Sequence, residues 1–103
     1  MSKLFTPITL RGLTLDNRIV LSPMCQYAAS DGLASDWHIV HLGQYALANL
    51  GLVITEATAV EPEGRISPMC LGLYSDAHQE PLARIVKFFR EYGSTKFGLQ
   101  LAH

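Results

Sequence analysis

The amino-acid sequence predicts an α/β protein in which a small hairpin precedes three parallel strands joined by two helices. Continuous apolar, β-branched segments alternate along the chain with segments whose apolar residues recur at helical spacing. This alternation is typical of a parallel sheet with helical crossovers. The chain has 103 residues, of which 49% are hydrophobic and 17% charged. That composition indicates a globular protein and excludes a disordered one.

The first elements are a predicted hairpin and a predicted strand. Residues 8–15 alternate apolar and polar side chains on both sides of Arg11 and Gly12. Period-two alternation around a glycine-containing turn is typical of two short antiparallel strands, which we expect to form a surface flap or lid. Residues 18–22 then contain a continuous apolar run. This run predicts a strand buried on both faces that ends at residues 22–25, where Pro23 stops it.

A first helix and a second strand follow. Ser35 predicts the N-cap of the helix, Asp36 supplies an acid in its first turn, and residues 49–51 are expected to cap its C-terminus. Residues 52–60 are apolar and β-branched at first and predict a second buried strand. The helix is expected to bury the face that carries Trp37, Val40, Gly43, Leu47 and Leu50.

A long loop, a second helix and a third strand complete the order. Residues 61–74 contain two prolines and two glycines, and a loop of this length favours a functional role or contacts outside the segment. Ser75 or Asp76 is expected to cap the second helix, with Gln79 completing a capping box, and Gly93 to end it. Residues 97–102 predict the third strand. The buried stripe of the second helix is expected to contain Leu82, Ile85, Val86 and Phe89.

Charge and cysteine content exclude several classes of function. Eight basic and nine acidic residues give a formal charge of −1, and we find no basic patch, so we expect neither nucleic acid nor a membrane surface as a partner. No apolar run approaches the length of a membrane span. Cys25 and Cys70 have no metal-ligand spacing and are expected to be reduced thiols in a cytoplasmic protein.

Polar residues occur where the three strands are expected to end, at residues 22–27, 56–58 and 100–103. Ligands of parallel sheets bind at this edge. Glu56 and Gln100 interrupt apolar runs and must have partners, because an unpaired buried polar group costs about 1 to 3 kcal/mol. We expect Glu56 to be a structural ion partner, with Arg18 as its candidate partner, and Gln100 to suit a planar, partly polar ligand.

The four histidines carry weaker signals. His38 and His41 are three residues apart on the first helix, and this spacing could suit a metal ion. No third ligand has a matching position, so we expect capping and packing roles and no metal site. His78 is expected to be solvated in the first turn of the second helix, and His103 lies at the end of the third strand.

Seven short motifs follow one another along the chain, at residues 4–7, 17–20, 22–27, 55–60, 63–66, 74–76 and 100–103. In their order and spacing they closely resemble the Old Yellow Enzyme family of flavin-dependent ene-reductases, and within it the bacterial, thermophilic-like branch that includes xenobiotic reductases. The resemblance implies a (β/α)8 TIM barrel. This chain is then the first part of a single FMN-binding barrel domain and is incomplete, with an N-terminal segment at 1–17 and barrel strands 1 to 3 with helices 1 and 2 at 18–103.

The resemblance also implies FMN as the cofactor, NADPH or NADH as the co-substrate, and a set of site residues. Gln100 is implied to hydrogen bond the pyrimidine edge of the flavin, and Ala57 to contact its ring. Cys25 is implied to tune the flavin, since a thiol is a weaker donor than the threonine hydroxyl of the yeast and plant branch. Tyr27 is implied to face the substrate. The residues implied to bind FMN are Ser22, Pro23, Met24, Cys25, Ala57 and Gln100.

The implied function is an FMN-dependent ene-reductase or xenobiotic reductase that transfers hydride from NAD(P)H through flavin to small molecules with an activated double bond. The family's carbonyl-binding His pair, proton donor and phosphate site lie on later strands, so we expect this segment alone to be inactive and the full-length protein to be a homo-oligomer. Two alternatives stay open. One is a flavin enzyme of the dienoyl-CoA reductase type, against which residues 25–27 argue. The other is a non-catalytic α/β module with a redox-sensing thiol at Cys25.

Overall fold

The computed structural model describes residues 2–103 and confirms the predicted order of elements. Among these residues, neither helix has the length and apolar character needed to cross a bilayer. The elements are β1 (Ile8–Leu10), β2 (Leu13–Leu15), β3 (Val20–Leu21), α1 (Asp36–Leu47), β4 (Leu52–Ala59), a 3-10 turn (Pro62–Gly64), β5 (Leu71–Gly72), α2 (Asp76–Tyr92) and β6 (Lys96–Ala102).

The main sheet is parallel and is built around β4. On one side, β3 pairs with the beginning of β4 and the short strand β5 pairs with its end. On the other side, β6 pairs with β4 along its whole length. The three predicted strands are therefore β3, β4 and β6, while β5 orders part of the segment that was expected to be a long loop. Within residues 2–103 the sheet stays open and no closed barrel forms.

Both helices pack on one face of this sheet and form the core there. The rings of Phe89 on α2 and Phe97 on β6 are 4.9 Å apart and nearly perpendicular, an arrangement that aromatic pairs favour. The opposite face, which we call the open face, carries Leu52, Ile54 and Gly98, whose positions adjoin one another. The buried residues of the core cluster are Ala29, Leu42, Ala46, Val53, Leu71, Leu82, Ile85 and Phe89.

The first strand is not buried on both faces as predicted. Leu21 packs against the core, but the neighbouring Val20 is 45% exposed. Val20 pairs with Leu52 and therefore lies on the open face, where the described residues place no layer over it. The continuous apolar run correctly indicated a parallel strand, but burial of its second face depends on a layer that residues 2–103 do not supply.

The predicted apolar face of α1 is largely wrong. Trp37, Val40 and Leu47 are 54%, 66% and 60% exposed. The buried side instead carries His38, Leu42, Gly43 and Ala46, so only Gly43 of the predicted stripe is fully buried, with Leu50 beyond the helix partly buried against the core. The reason is close packing: a Cβ at Gly43 would lie 2.9 Å from the Phe88 ring of α2. Small residues allow α1 to approach α2, and the larger apolar residues stay outside.

The ends of both helices differ in detail from the prediction. The C-cap of α1 is Ala48, and Asn49 rather than Gly51 takes the left-handed conformation, at φ 55°. Asn is one of the residues that tolerate this conformation. The N-cap of α2 is Ser75, whose partner three residues later is His78, so the predicted capping box of Asp76 and Gln79 is wrong. The predicted end of α2 at Gly93 is confirmed, and so is its buried stripe at Leu82, Ile85 and Phe89, while Val86 is only partly buried.

The hairpin of β1 and β2 forms as predicted, but it is not a lid over the strand ends. Leu13 borders the same cleft as Gly93 and Thr95, which lead into the beginning of β6. The hairpin therefore lies at the amino ends of the strands, because only a short connection separates it from the start of β3. Its turn places Arg11, not Gly12, at a positive φ of 53°, since a two-residue hairpin turn needs positive φ at its first central position.

Candidate functional site

The candidate site lies at the edge of the sheet where β3, β4 and β6 end. These strands run parallel, so their carboxyl ends meet at one edge, where α/β proteins bind ligands. After Val20, exposure alternates along the chain: Ser22 and Met24 are exposed, and Leu21, Pro23 and Cys25 are partly buried. The alternation indicates that Ser22 and Met24 continue along the open face.

A β-bulge interrupts the pairing of β4 with β6. Ile54 lies opposite Gly98, and Ala57 lies opposite Gln100. Residues 55–56 of β4 therefore face only one residue of β6. A bulge of this kind inserts an extra residue and shifts the alternation of side chains along the strand. Ile54 and Ala57 consequently lie on the same face, although the two residues between them would place them on opposite faces of a regular strand.

The bulge brings Ala57 and Gln100 together on the open face. Leu99 borders a cleft with Leu82 and Val86 of α2, so the next residue, Gln100, points away from the helices. Its Cα partner in the register, Ala57, points the same way. A small residue thus adjoins an exposed amide at the carboxyl end of the sheet.

Three hydroxyl contacts stabilise the bulge. Both Thr55 Oγ1 and Thr58 Oγ1 donate to the Glu56 carbonyl oxygen, at 3.1 and 2.9 Å. The backbone N–H of Gln100 donates to Thr55 Oγ1 at 3.3 Å. Both threonine side chains are fully buried. The threonines therefore satisfy backbone groups that the interrupted ladder leaves without their usual partners.

The bulge also turns Glu56 inward, against His38 of α1. Glu56 is 4% exposed and His38 is fully buried, and His38 Nε2 lies 3.6 Å from Glu56 Oε2. His38 Nδ1 accepts the backbone N–H of Ser35 at 2.9 Å. Because that donor is a fixed N–H, Nδ1 carries no proton, and the neutral ring holds its proton on Nε2, facing Glu56. Arg18 is not the partner of Glu56 as predicted: its guanidinium donates to the Pro7 carbonyl oxygen instead.

Burial favours the neutral form of both members of this pair. Desolvation raises the pKa of Glu56 from 4.5 to about 7, although the nearby Gln26 backbone N–H favours the charged carboxylate. Desolvation also lowers the pKa of His38, against the effect of the Ser35 contact. Glu56 Oε1 and His38 Nε2 have no hydrogen bond within the described residues. The predicted capping role of His38 is confirmed, and its contact with Glu56 is an addition to it.

The segment after β3 carries the remaining predicted site residues. Cys25 is partly buried, and Tyr27 is 52% exposed with a left-handed φ of 53°. The intervening Gln26 donates from Nε2 to the Met24 carbonyl oxygen and accepts the Trp37 indole N–H at Oε1, both at 3.0 Å. Pro23 is partly buried in the same segment. The segment therefore adjoins the open face without belonging to a strand or helix.

The other histidines lie outside this arrangement. His78 is buried, not solvated as predicted: it contacts the Asp31 carbonyl oxygen through Nε2 at 2.8 Å and Ser75 Oγ through Nδ1 at 2.7 Å. His103 Nε2 lies 2.8 Å from Glu61 Oε1. Within residues 2–103, no three His, Cys, Asp or Glu side chains are grouped in a way that could hold a metal ion.

Sequence reasoning missed three features of the site. The bulge had a signal in the polar residues Thr55, Glu56 and Thr58 within an otherwise apolar strand. The pairing of His38 with Glu56 had none, because it depends on how α1 lies over β4. The turn at Asp31 and Gly32, with φ of 51° and 79°, had a strong signal, since Asp-Gly is a preferred pair for a tight turn. The Asp31 carbonyl oxygen in this turn accepts hydrogen bonds from the Tyr74 hydroxyl group and from His78 Nε2. These contacts connect the start of α2 to the segment after β3.

This arrangement defines a segment of an α/β protein with a candidate ligand site at its strand ends. Residues 3–103 match the model of the NADH:flavin oxidoreductase / NADH oxidase family, and the chain belongs to this family. It is 51% identical over 102 residues to an NADH:flavin oxidoreductase of Gibberella zeae, with 99% of this chain and 24% of the relative covered. It is 48% identical over 103 residues to an NADPH dehydrogenase of Bacillus subtilis, with 98% and 30% covered.

Solved structures agree with this assignment. The Old Yellow Enzyme from Pichia sp. AKU4542 superposes with a TM-score of 0.90 at 31% identity, over 98% of this chain and 26% of that one. Morphinone reductase in complex with tetrahydroNAD superposes with a TM-score of 0.89 at 29% identity, over all of this chain and 28% of the other. The fold is therefore that of one part of the Old Yellow Enzyme proteins, and the chain spans about a quarter to a third of the length of these relatives.

Proposed function

We propose that this chain supplies the N-terminal part of a single FMN-binding (β/α)8 barrel domain, in an enzyme that uses NADPH or NADH to reduce activated double bonds. In this proposal, residues 1–17 are the N-terminal segment. Residues 18–103 provide barrel strands 1 to 3, which are β3, β4 and β6, together with the first two helices, α1 and α2. We use "full-length protein" for a chain of the relatives' length that carries this segment.

The observation that carries the proposal is the pairing of Ala57 with Gln100 on the open face. A planar ring can approach this place closely, because the Ala57 side chain is a single methyl group. The adjoining Gln100 amide offers both a donor and an acceptor, as the edge of a flavin pyrimidine ring requires. Ser22 and Met24 border the same face. The residues present therefore fit FMN, and the site is concave only when further strands close the sheet.

The residues of this chain hold and orient the ligands. Ser22, Pro23, Met24 and Cys25 line the flavin, partly through main-chain groups, while Ala57 contacts its ring and Gln100 binds its pyrimidine edge. FMN, when bound, supplies the hydride chemistry. The Cys25 thiol lies on the segment between the strand end and Tyr27, so it can tune the flavin while Tyr27 faces the acceptor. The activated double bond, such as that of an enone, marks the acceptor class.

The direct test is the visible spectrum of the purified full-length protein, before and after addition of FMN. We expect a flavin absorption band in the purified protein or after reconstitution, and its loss when NADPH or NADH is added without oxygen. Regain of the band on adding an enone supports the acceptor class. A folded full-length protein that remains colourless in the presence of FMN contradicts the proposal.

Replacing Gln100 by leucine is expected to weaken FMN binding about 10- to 100-fold. Leucine keeps much of the volume but removes the donor and acceptor, and hydrogen bonds of this kind contribute about 0.5 to 1.5 kcal/mol each. The dissociation constant is measured by titrating the apoprotein with FMN and following flavin fluorescence. Gln44→Leu, on an exposed position of α1, is the matched control. An unchanged dissociation constant in Gln100→Leu removes the role assigned to the amide.

The same proposal includes a cytoplasmic homo-oligomer in the xenobiotic reductase branch. Residues 25–27 support that branch over the dienoyl-CoA reductase type. Family membership and the flavin-fitting open face argue against a non-catalytic module that senses redox state through Cys25. Size-exclusion chromatography with light scattering tests the oligomeric state.

A further inference from the structure

The segment that carries Cys25 and Tyr27 has no regular secondary structure to hold it. Residues 22–29 lie between β3 and α1 and form neither helix nor strand. Tyr27 also takes a left-handed φ of 53°, a conformation that non-glycine residues rarely adopt and that persists only when its surroundings fix it. Side chains outside the backbone ladder must therefore determine where Cys25 and Tyr27 lie.

The Gln26 side chain is placed to do this. Its Nε2 donates to the Met24 carbonyl oxygen, which folds the amide back across Cys25, and its Oε1 accepts the indole N–H of Trp37 on α1. The indole nitrogen is only a donor, so the amide oxygen must face Trp37 and the amide nitrogen must face Met24. Both ends of the amide are thus satisfied in the one orientation that the neighbours allow.

Gln26 also lies close to the sheet. Its backbone N–H faces the buried carboxyl group of Glu56, which the bulge in β4 turns inward. One more contact connects this segment to the start of α1: Ser35 Oγ donates to the Ala28 carbonyl oxygen at 3.4 Å. Gln26 is therefore the residue at which α1, β4 and the segment after β3 meet.

We propose that Gln26 is a positioning residue, whose amide links Met24 to Trp37 and so fixes Cys25 and Tyr27 relative to the strand ends. The importance of these two residues rests on the proposed function, but the link itself is a property of residues 24–37. Gln26 acts through its neighbours, since both ends of its amide are engaged by protein groups. Its loss allows Cys25 to move and Tyr27 to leave its left-handed conformation.

The first measurement uses flavin-free full-length protein and the rate at which iodoacetamide alkylates Cys25, located by mass spectrometry so that the buried Cys70 does not interfere. Gln26→Met keeps the length of the side chain and removes both hydrogen bonds. We expect it to speed alkylation about three- to tenfold. Trp37→Phe removes the indole N–H and is expected to give a smaller increase. Val40→Ala, at a 66% exposed position one turn further along α1, is the control and should match the wild type.

The second measurement separates positioning from general stability. In the FMN-loaded enzyme, Gln26→Met is expected to raise KM for the acceptor several-fold, while the FMN dissociation constant stays within twofold and the unfolding midpoint stays close to that of Val40→Ala. Alkylation of Gln26→Met at the wild-type rate overturns the proposal. A faster rate also overturns it if the unfolding midpoint of Gln26→Met falls well below that of Val40→Ala, because general loss of stability then explains the faster reaction. Because the alkylation assay needs no flavin, it gives its result even if the full-length protein binds no FMN, an outcome that contradicts only the proposed function.

Discussion

Replacing Gly51 by alanine is expected to destabilise the full-length protein by at least about 3 kcal/mol. A Cβ at this position would lie 2.0 Å from the carbonyl oxygen of Asn17, a backbone atom that cannot rotate away. Relief of the clash requires the two backbones to separate, and overpacking of this kind costs about 1 to 3 kcal/mol even where side chains can adjust. Separation also weakens the contacts of Gly51 with Ile19 and Lys96, which align β3 and β6 beside β4.

The measurement is the thermal unfolding midpoint together with the soluble yield. A loss of this size is expected to lower the midpoint by about 5 °C or more. Gly12→Ala is the matched control, because nothing lies within 4 Å of a Cβ at this position in the hairpin turn. We expect that control to unfold within about a degree of the wild type. Equal midpoints for the two variants would show that the backbones adjust at little cost.

Replacing Glu56 by glutamine is expected to change how stability depends on pH. The pKa of Glu56 is raised from 4.5 to about 7 in the folded protein. Between these values the folded state retains a proton that the unfolded state has lost, so the stability of the wild type falls as pH rises from about 4.5 to 7. At about 1.4 kcal/mol per pKa unit, the full effect is up to about 3 kcal/mol. Glutamine has a similar shape and no charge, so the stability of the Glu56→Gln variant does not fall in this way as pH rises.

The observable is the difference in unfolding midpoint between Glu56→Gln and the wild type, measured from pH 4.5 to 8. We expect the unfolding midpoint of the variant to rise relative to that of the wild type as pH increases through this range. This difference in midpoint is expected to level off above pH 7. The lowered pKa of His38 makes stability rise with pH below about 6.5. Because His38 is present in both proteins, its contribution largely cancels in the difference between their midpoints. Glu80→Gln, at an exposed position of α2, is the control. A difference that does not vary with pH would mean that Glu56 is charged in the folded state.

The order of elements was predictable because each depends on local pattern. The buried stripe of α2 follows from residues such as Leu82, Ile85 and Phe89, whose spacing matches the helical period, with charged residues on the other side. The strand β4 follows from its β-branched beginning. In both cases local propensity and the final packing agree, which is the condition under which a single sequence is informative.

The buried side of α1 could not be predicted in the same way. Apolar residues occur all around this helix, so periodicity does not select one face. The choice depends on the distance to α2, which Gly43 allows to be short, and on the buried carboxyl of Glu56, which His38 approaches. Both are properties of the assembled layers and not of the helix, and tertiary context commonly overrides local preference in this way.

The pairing of Ala57 with Gln100 at the strand ends was easier to anticipate from the sequence than the contacts that support the neighbouring segment. Residues at the strand ends were identified by their polarity and by family resemblance, and the structure places Ala57 and Gln100 side by side. The contacts of Gln26 with Trp37 and Met24 were not predicted, because they involve a segment without periodic pattern. Such segments are governed by individual hydrogen bonds, which composition and spacing do not encode.

The bulge in β4 makes the number of residues in this strand as important as their identity. Before the bulge, odd-numbered positions such as Val53 face the helices, and after it Ala57 faces the opposite way. Deletion of one residue at 55 or 56 would remove the bulge and leave Ile54 and Ala57 two positions apart in a regular strand, so Ala57 would stay opposite Gln100 on the open face. Loss of Thr55 would remove the hydroxyl that accepts the Gln100 backbone N–H, and loss of Glu56 would remove the carboxyl group that lies against His38. A change in the length of this strand therefore weakens the support behind the site even when every residue on the ligand face is kept.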